Sequence, residues 1–152
     1  MLQALEGERR EWLGVLARAP RDLLEDWFAA EQRPAYQWLR RPEIGLVMLR
    51  GRIGGTGAPF NLGEATVTRC ALRLATGEAG VGWVLGRDPR RAELVALADA
   101  MLQRAPEAER VRARLLEPAR AQLAAERAVQ ARKAAATRVD FFALARTAGE
   151  TV

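Results

Sequence analysis

Between Glu43 and Leu74 the chain sets four glycines, Gly54, Gly55, Gly57 and Gly63, between Arg50 and Arg52 on one side and Arg69 and Arg73 on the other. Glycine lets a backbone come close to a ligand or another backbone where a β-carbon would clash, and arginine supplies planar, permanently charged donors for phosphate or carboxylate. That combination suits either an anion site or a tight subunit contact. The segment Gly51-Arg-Ile-Gly-Gly-Thr-Gly57 has neither the dinucleotide-binding spacing nor that of a P-loop. No Gly-Lys-Ser/Thr follows it, and the next element reads as a strand where a phosphate site would want a helix N-terminus. Two readings stay open for Gly54, Gly55 and Gly57: a nest of amides that cradles an anion, or a structural turn or subunit contact.

Other chemistry is scarce. The chain has no histidine and a single cysteine, Cys70, so it cannot assemble a conventional zinc site or a Cys/His or Ser/His nucleophile pair. Glu64 and Asp88 are the carboxylates nearest the glycine segments, but a lone carboxylate beside arginine ordinarily serves as an ion-pair partner or a helix cap. We therefore expect no catalytic residue, metal ligand or resident cofactor. Cys70 falls on the same strand face as Leu72 and Leu74 and reads as a small buried apolar residue.

The elements that must position these residues follow from periodicity. Trp12, Leu13 and Leu16 predict a helix over 6–17 that stops before Pro20; Leu23, Leu24, Trp27 and Phe28 predict a second over 22–31. Strands are predicted at Tyr36–Arg40, Ile44–Ile53, Glu64–Ala75 and Val81–Leu85, the last two joined by a hairpin turn at Thr76-Gly77-Glu78. Period-two alternation puts Thr66, Thr68, Cys70, Leu72 and Leu74 on one face and Val67, Arg69, Ala71 and Arg73 on the other. On the last strand, Gly80 and Gly82 lie opposite Val81 and Trp83 and invite close approach by a helix or a neighbouring chain. Asp88-Pro89 is an N-cap and first helical position, opening a helix over 90–104 whose Leu94, Leu97, Ala98, Met101 and Leu102 are to cover the apolar sheet face.

From Glu107 to Ala136 the chain reads as helix broken near Pro118, and half of residues 119–136 are alanine. With so few large apolar residues this arm is suited to lie along something else. Val139, Phe141 and Phe142 then concentrate apolar bulk near the C-terminus, where it needs a pocket on this domain or on a partner. The class is α+β: a helix pair, an antiparallel sheet of about four strands, a covering helix and a helical arm, in one domain over 1–152 with 107–152 as arm and tail.

At 152 residues the chain can bury a core without metal or disulfide support. An unpaired cysteine, with no secretory signal or long apolar span at the N-terminus, points to a reducing cytoplasm and no membrane. The net charge of +5 is uneven: residues 32–91 hold ten arginines against four carboxylates, or +6, leaving −1 elsewhere. The positive field belongs to the middle third, where Arg87 joins the arginines named above.

Several phrases carry a resemblance: Arg52-Ile-Gly-Gly-Thr-Gly57, Thr66-Val-Thr-Arg69, Gly80-Val-Gly-Trp-Val-Leu-Gly-Arg-Asp88, Ala92-Glu93-Leu94, Asp99-Ala-Met-Leu102 and Arg138-Val-Asp-Phe-Phe142. Together they span nearly the whole chain, which resembles the PhnG family, the G subunit of the bacterial carbon-phosphorus lyase core complex. The resemblance implies a partnership with H, I and J subunits, two copies of each, in an assembly with room for a homodimer contact. It implies participation in making α-D-ribose 1-methylphosphonate 5-triphosphate from ATP and a phosphonate, with release of adenine. ATP would then be a substrate of the complex and not a ligand held by this chain. Pro89 and Arg91 stand where family members often carry Lys and His, so the resemblance implies no proton-transfer role at those positions.

Three functions compete. The first is a non-autonomous subunit, mainly architectural, with Arg50, Arg52, Gly54, Gly55, Gly57, Arg69, Arg73 and Arg87 lending phosphate electrostatics or an interface, and Val139, Phe141 and Phe142 docking into a partner. The alternative is a small basic nucleic-acid-binding module, suggested by a pI near 10.8. Against it, Tyr36, Trp38 and Trp83 lack the regular aromatic-basic interleaving of a stacking platform. A third, a self-sufficient nucleotide-using enzyme, requires turnover of ATP by this chain alone.

Overall fold

The computed structural model describes residues 2–31 and 33–138, with side chains from residue 6 onward. Helices α1 (Leu2–Leu16) and α2 (Arg21–Ala30) precede a three-stranded antiparallel sheet of β1 (Tyr36–Arg52), β2 (Pro59–Leu74) and β3 (Ala79–Leu85) in sequence order. Then come α3 (Pro89–Met101), α4 (Ala105–Val111), a wide π turn (Arg112–Leu116) and α5 (Glu117–Ala136). The α+β class holds, with one strand fewer than expected. Among the described residues no helix is long and apolar enough to cross a membrane.

The missing strand is a merger. Pro42 reads as a break between two strands, yet β1 runs through it: pairing passes from Arg40 opposite Ala71 to Glu43 opposite Arg69 across a register irregularity. Proline is tolerated there because β1 is an edge strand and the irregularity removes the need for its missing N–H. A similar correction applies to the loop. Gly54 and Gly55 take positive φ, 61° and 80°, in a single tight turn at Ile53–Gly55, and β2 already begins at Pro59. Gly63 is not in the loop; it sits within β2 opposite Leu49, where the register shifts again.

Helix α3 is the centre of the molecule. Asp88 caps it as expected, its carboxylate accepting from the Arg91 amide at 2.9 Å, with Pro89 in the first turn. Its contact with the sheet differs from the expected leucine flank. Ala92, Ala96 and Ala100 recur every fourth residue on one helix face and meet Gly80 and Gly82 of β3, so backbone lies directly on backbone. Leu94, Leu97, Ala98, Met101 and Leu102 are buried in the same core, which also takes Trp12, Leu16, Leu24 and Phe28 from the first two helices and Cys70, Leu72 and Leu74 from β2. Helices thus cover one sheet face only.

The C-terminal helix does not break at Pro118. A proline inside a helix clashes with the carbonyl four residues earlier, and the wider π turn just before it opens that spacing. Ala119 is still buried, and Leu123 packs partly against the core, but from residue 124 to Arg138 every residue is exposed. Val139, Phe141 and Phe142 lie outside the described residues.

Candidate functional site

The sheet carries the residues singled out by sequence, and it spreads them along its length. Arg50 stands opposite Asn61 and Arg52 opposite Pro59, at the far end of the β1–β2 hairpin. Arg52 is turned back on the turn itself, donating to the Gly57 carbonyl at 3.0 Å. Arg69 lies mid-sheet between Glu43 and Trp83: its Nε donates to Glu43 Oε1 at 2.6 Å, and its guanidinium sits 5.4 Å from the Trp83 ring centroid. Arg73 is exposed at the opposite end, and Arg87 is exposed just past β3. Ten residues of β2 separate the partner of Arg52 from Arg69, about 33 Å of strand. The two arginine pairs therefore do not converge on one small anion in the isolated chain.

The glycine segment has the geometry of a hairpin turn. A β-carbon on Gly54 or Gly55 would meet nothing within 4 Å, so these two are glycine for their positive φ and not for a close-fitting neighbour. Gly57 is held by its amide donating to the Ile53 carbonyl at 2.9 Å.

What the sequence reading missed is how much of this hairpin stands free. Strand β3 reaches only as far as Val67 opposite Leu85, so residues 46–52 and 59–66 form a two-stranded ribbon beyond the body. No residue of the 17-residue β1 is fully buried, and residues 59–64 of β2 are all exposed. Leu46 (62% exposed), Met48, Leu49, Ile53 (76%), Phe60 and Leu62 (65%) are all open to solvent on or next to this ribbon, and Trp83 and Leu85 are open on the uncovered sheet face. The signal was in the sequence. Ile44-Gly-Leu-Val-Met-Leu49 is apolar without alternation, which asks for cover on both faces, and the helices supply only one layer.

Of the two carboxylates singled out by sequence, Asp88 is committed to structure and Glu64 is not. Asp88 caps α3 and lies 3.4 Å from Arg21 Nη1, while its own amide donates to Thr68 Oγ1 at 3.0 Å. Glu64 is exposed on the ribbon opposite Met48. Pro89 and Arg91 are also structural: Arg91 Nη2 reaches the Ala17 carbonyl at 2.8 Å and joins α3 to the end of α1. A further carboxylate that sequence did not single out, Asp99, is buried beneath β3 and bonded to Arg9, Trp12 and the Val81 amide. Nothing local marks it, because its partners come from distant segments. Among the described residues no group of three or more potential ligands could hold a metal ion.

Cys70 is buried, and burial pushes its thiol up to about 12, with Glu93 adding to the shift. A thiol so shifted is not a nucleophile at neutral pH. Native protein at pH 7.5 is expected to resist iodoacetamide for hours while urea-unfolded protein is alkylated within minutes. Equal rates by intact-mass spectrometry would contradict the burial of Cys70.

Comparison with known proteins places this arrangement. The family model described as phosphonate metabolism protein PhnG matches residues 7–147. The α-D-ribose 1-methylphosphonate 5-triphosphate synthase subunit PhnG of Rhizobium meliloti (strain 1021) is 50% identical over 140 residues, covering 91% of this chain and 89% of that protein.

Proposed function

We propose, because the chain belongs to the PhnG family of phosphonate metabolism proteins, that it is a non-autonomous subunit of an α-D-ribose 1-methylphosphonate 5-triphosphate synthase within a carbon-phosphorus lyase core complex. It works with H, I and J subunits in the cytoplasm, in an assembly where two copies of this chain meet. The complex takes ATP and a phosphonate and releases adenine. This chain holds no cofactor and turns over no ATP alone.

One observation carries the reading: a long edge strand without a buried residue, continued as a two-stranded ribbon studded with exposed apolar side chains. A lone hairpin is marginal in water, and monomeric proteins rarely leave such surface uncovered. The role is accordingly architectural. Arg50, Arg52, Arg69, Arg73 and Arg87, with Gly54, Gly55 and Gly57, lend contact surface and positive potential near a polyanionic substrate held by other subunits. The alanine-rich arm lies along a neighbour, and Val139, Phe141 and Phe142 dock into it.

Co-expression with the I subunit followed by size exclusion tests this directly. The intact chain is expected to co-elute, truncation before Val139 to weaken that association, and the isolated chain to release no phosphate from ATP. Failure of the intact chain to associate overturns the subunit reading. Full retention by the truncated chain removes the tail from the interface.

A further inference from the structure

We infer that the outer edge of β1, from Glu43 to Gly51, is a strand-pairing site for an extended, acidic segment of a neighbouring protein subunit. The inference rests on the subunit reading above and names the surface and the chemistry of what covers it. An edge strand presents a row of main-chain donors and acceptors to any extended chain of suitable face and charge, and proteins that stay monomeric blunt such edges with short strands, lysines or a cover. Here the strand is 17 residues long and its outer side is unpaired among the described residues. Beyond Pro42 the edge contains no proline and no lysine. Ile44, Leu46 and Met48 stand on one face at period two, all exposed. An added strand would gain main-chain hydrogen bonds and apolar contact together.

Charge selects the occupant. Several arginines of the helical layer have carboxylates of their own, among them Arg9 with Asp99, Arg90 with Glu93 and Arg120 with Glu11. On β1, Arg40 shares the single carboxylate of Glu43 with Arg69 of β2, and Arg41, Arg50 and Arg52 have no ion-pair partner among the described residues. These cations flank the apolar stretch on both sides. A segment with Asp or Glu near each end and alternating apolar residues between them would satisfy them.

A second copy of the chain fits poorly. In antiparallel self-pairing about a two-fold axis, a contact centred on Gly45 sets Arg40 opposite Arg50, and one centred on Leu46 sets Arg40 opposite Arg52; contacts centred on Val47 or Met48 avoid those clashes but set Arg50 and Arg52 opposite Pro42, Ile44 or Leu46 and give them no carboxylate. Each clash occurs twice by symmetry, and like charges directly opposite one another destabilise a sheet.

The test uses full-length tagged chain co-expressed with the H, I and J subunits. Leu46→Lys with Met48→Lys places edge charges in the pairing stretch, and Arg50→Glu with Arg52→Glu reverses the flanking charge. All four side chains are exposed, so the isolated variants are expected to unfold at close to the parent temperature. The lysine pair is expected to reduce co-purified partner at least about tenfold, an effect of hot-spot size. The charge reversal is expected to reduce it as well, more at low salt than at high. If the parent chain co-purifies and both variants do so equally, the edge proposal is overturned and the subunit reading stands. If the parent itself fails to co-purify, both fall. Two further results would overturn the edge proposal alone: a dimer of the isolated chain that the lysine pair disperses, or retention of a 20-nucleotide single strand, lost with Arg50→Glu and Arg52→Glu, while subunit association is unchanged.

Discussion

Gly82→Ala is expected to yield little or no folded protein, although it adds a single methyl group. An ideal β-carbon at Gly82 would lie 2.0 Å from the Ala92 carbonyl oxygen, and one at Gly80 would lie 1.9 Å from the Ala96 carbonyl oxygen. Those atoms are main chain in the middle of a buried helix. No rotamer change can relieve the contact; α3 must lift off β3, and the core that α3 shares with the first two helices must open with it. Ordinary overpacking costs about 1–3 kcal/mol, and here the cost should exceed that range because backbone meets backbone. A domain of this kind has about 5–15 kcal/mol to lose. Gly45→Ala is the matched control, since a β-carbon there meets nothing within 4 Å. Soluble yield and thermal unfolding of Gly80→Ala, Gly82→Ala and Gly45→Ala decide the matter. A Gly82→Ala protein melting with the parent would show that the sheet and helix do not touch in this way.

Asp99→Ala is expected to be the most damaging substitution of a polar side chain. The carboxylate is fully buried, and four donors converge on it: Arg9 Nη2 at 2.7 Å, Arg9 Nε at 3.1 Å, Trp12 Nε1 at 2.8 Å and the Val81 amide at 2.9 Å. The same bond raises the Arg9 guanidinium further above its ordinary value. Removing one partner of a buried pair costs about 3–5 kcal/mol, because the donors left behind have lost their water as well as their acceptor. Asp99→Asn keeps the shape but turns an amide donor toward other donors, so it should recover little. Arg9→Ala should be milder, since the Arg9 side chain is 36% exposed and water can replace it. Urea unfolding should rank the three with the Asp99 variants lowest. An Arg9→Ala loss equal to that of Asp99→Ala would mean that the ion pair, and not the buried acceptor, holds the first helix to the sheet.

These two sites differ in how far the sequence announces them. The glycine alternation Gly80-Val-Gly-Trp is a local pattern that asks for close approach by a helix or a neighbouring chain, and it is met by the alanines of α3. Asp88-Pro89 is equally local, and the cap formed as read. Asp99 depends on the side chains of Arg9 and Trp12, 90 and 87 positions away, so no window of sequence contains all its partners. Proline and glycine misled in the middle of the chain because their breaking power is conditional. Pro42 is absorbed by an edge-strand irregularity, Pro59 starts a strand, Gly63 sits at a register shift, and Pro118 follows a turn already widened to receive it. For the arginines, alternation gave the face of Arg69 and Arg73 but not the distance to Arg50 and Arg52. That distance depended on where the hairpin turned, and the turn is shorter than the run of glycines suggests.

The widened turn at Arg112–Leu116 also sets the azimuth of everything after it. Each residue of an α-helix advances about 100° around the axis. Shortening that stretch by one residue would swing Ala119 and Leu123 away from the body and break the 2.6 Å bond between Arg120 and Glu11. The exposed half of α5 would then present a different stripe to its surroundings. A single codon lost at this point would leave composition, length and fold class almost untouched, yet re-aim the whole of α5 like a key cut with its teeth on the wrong side.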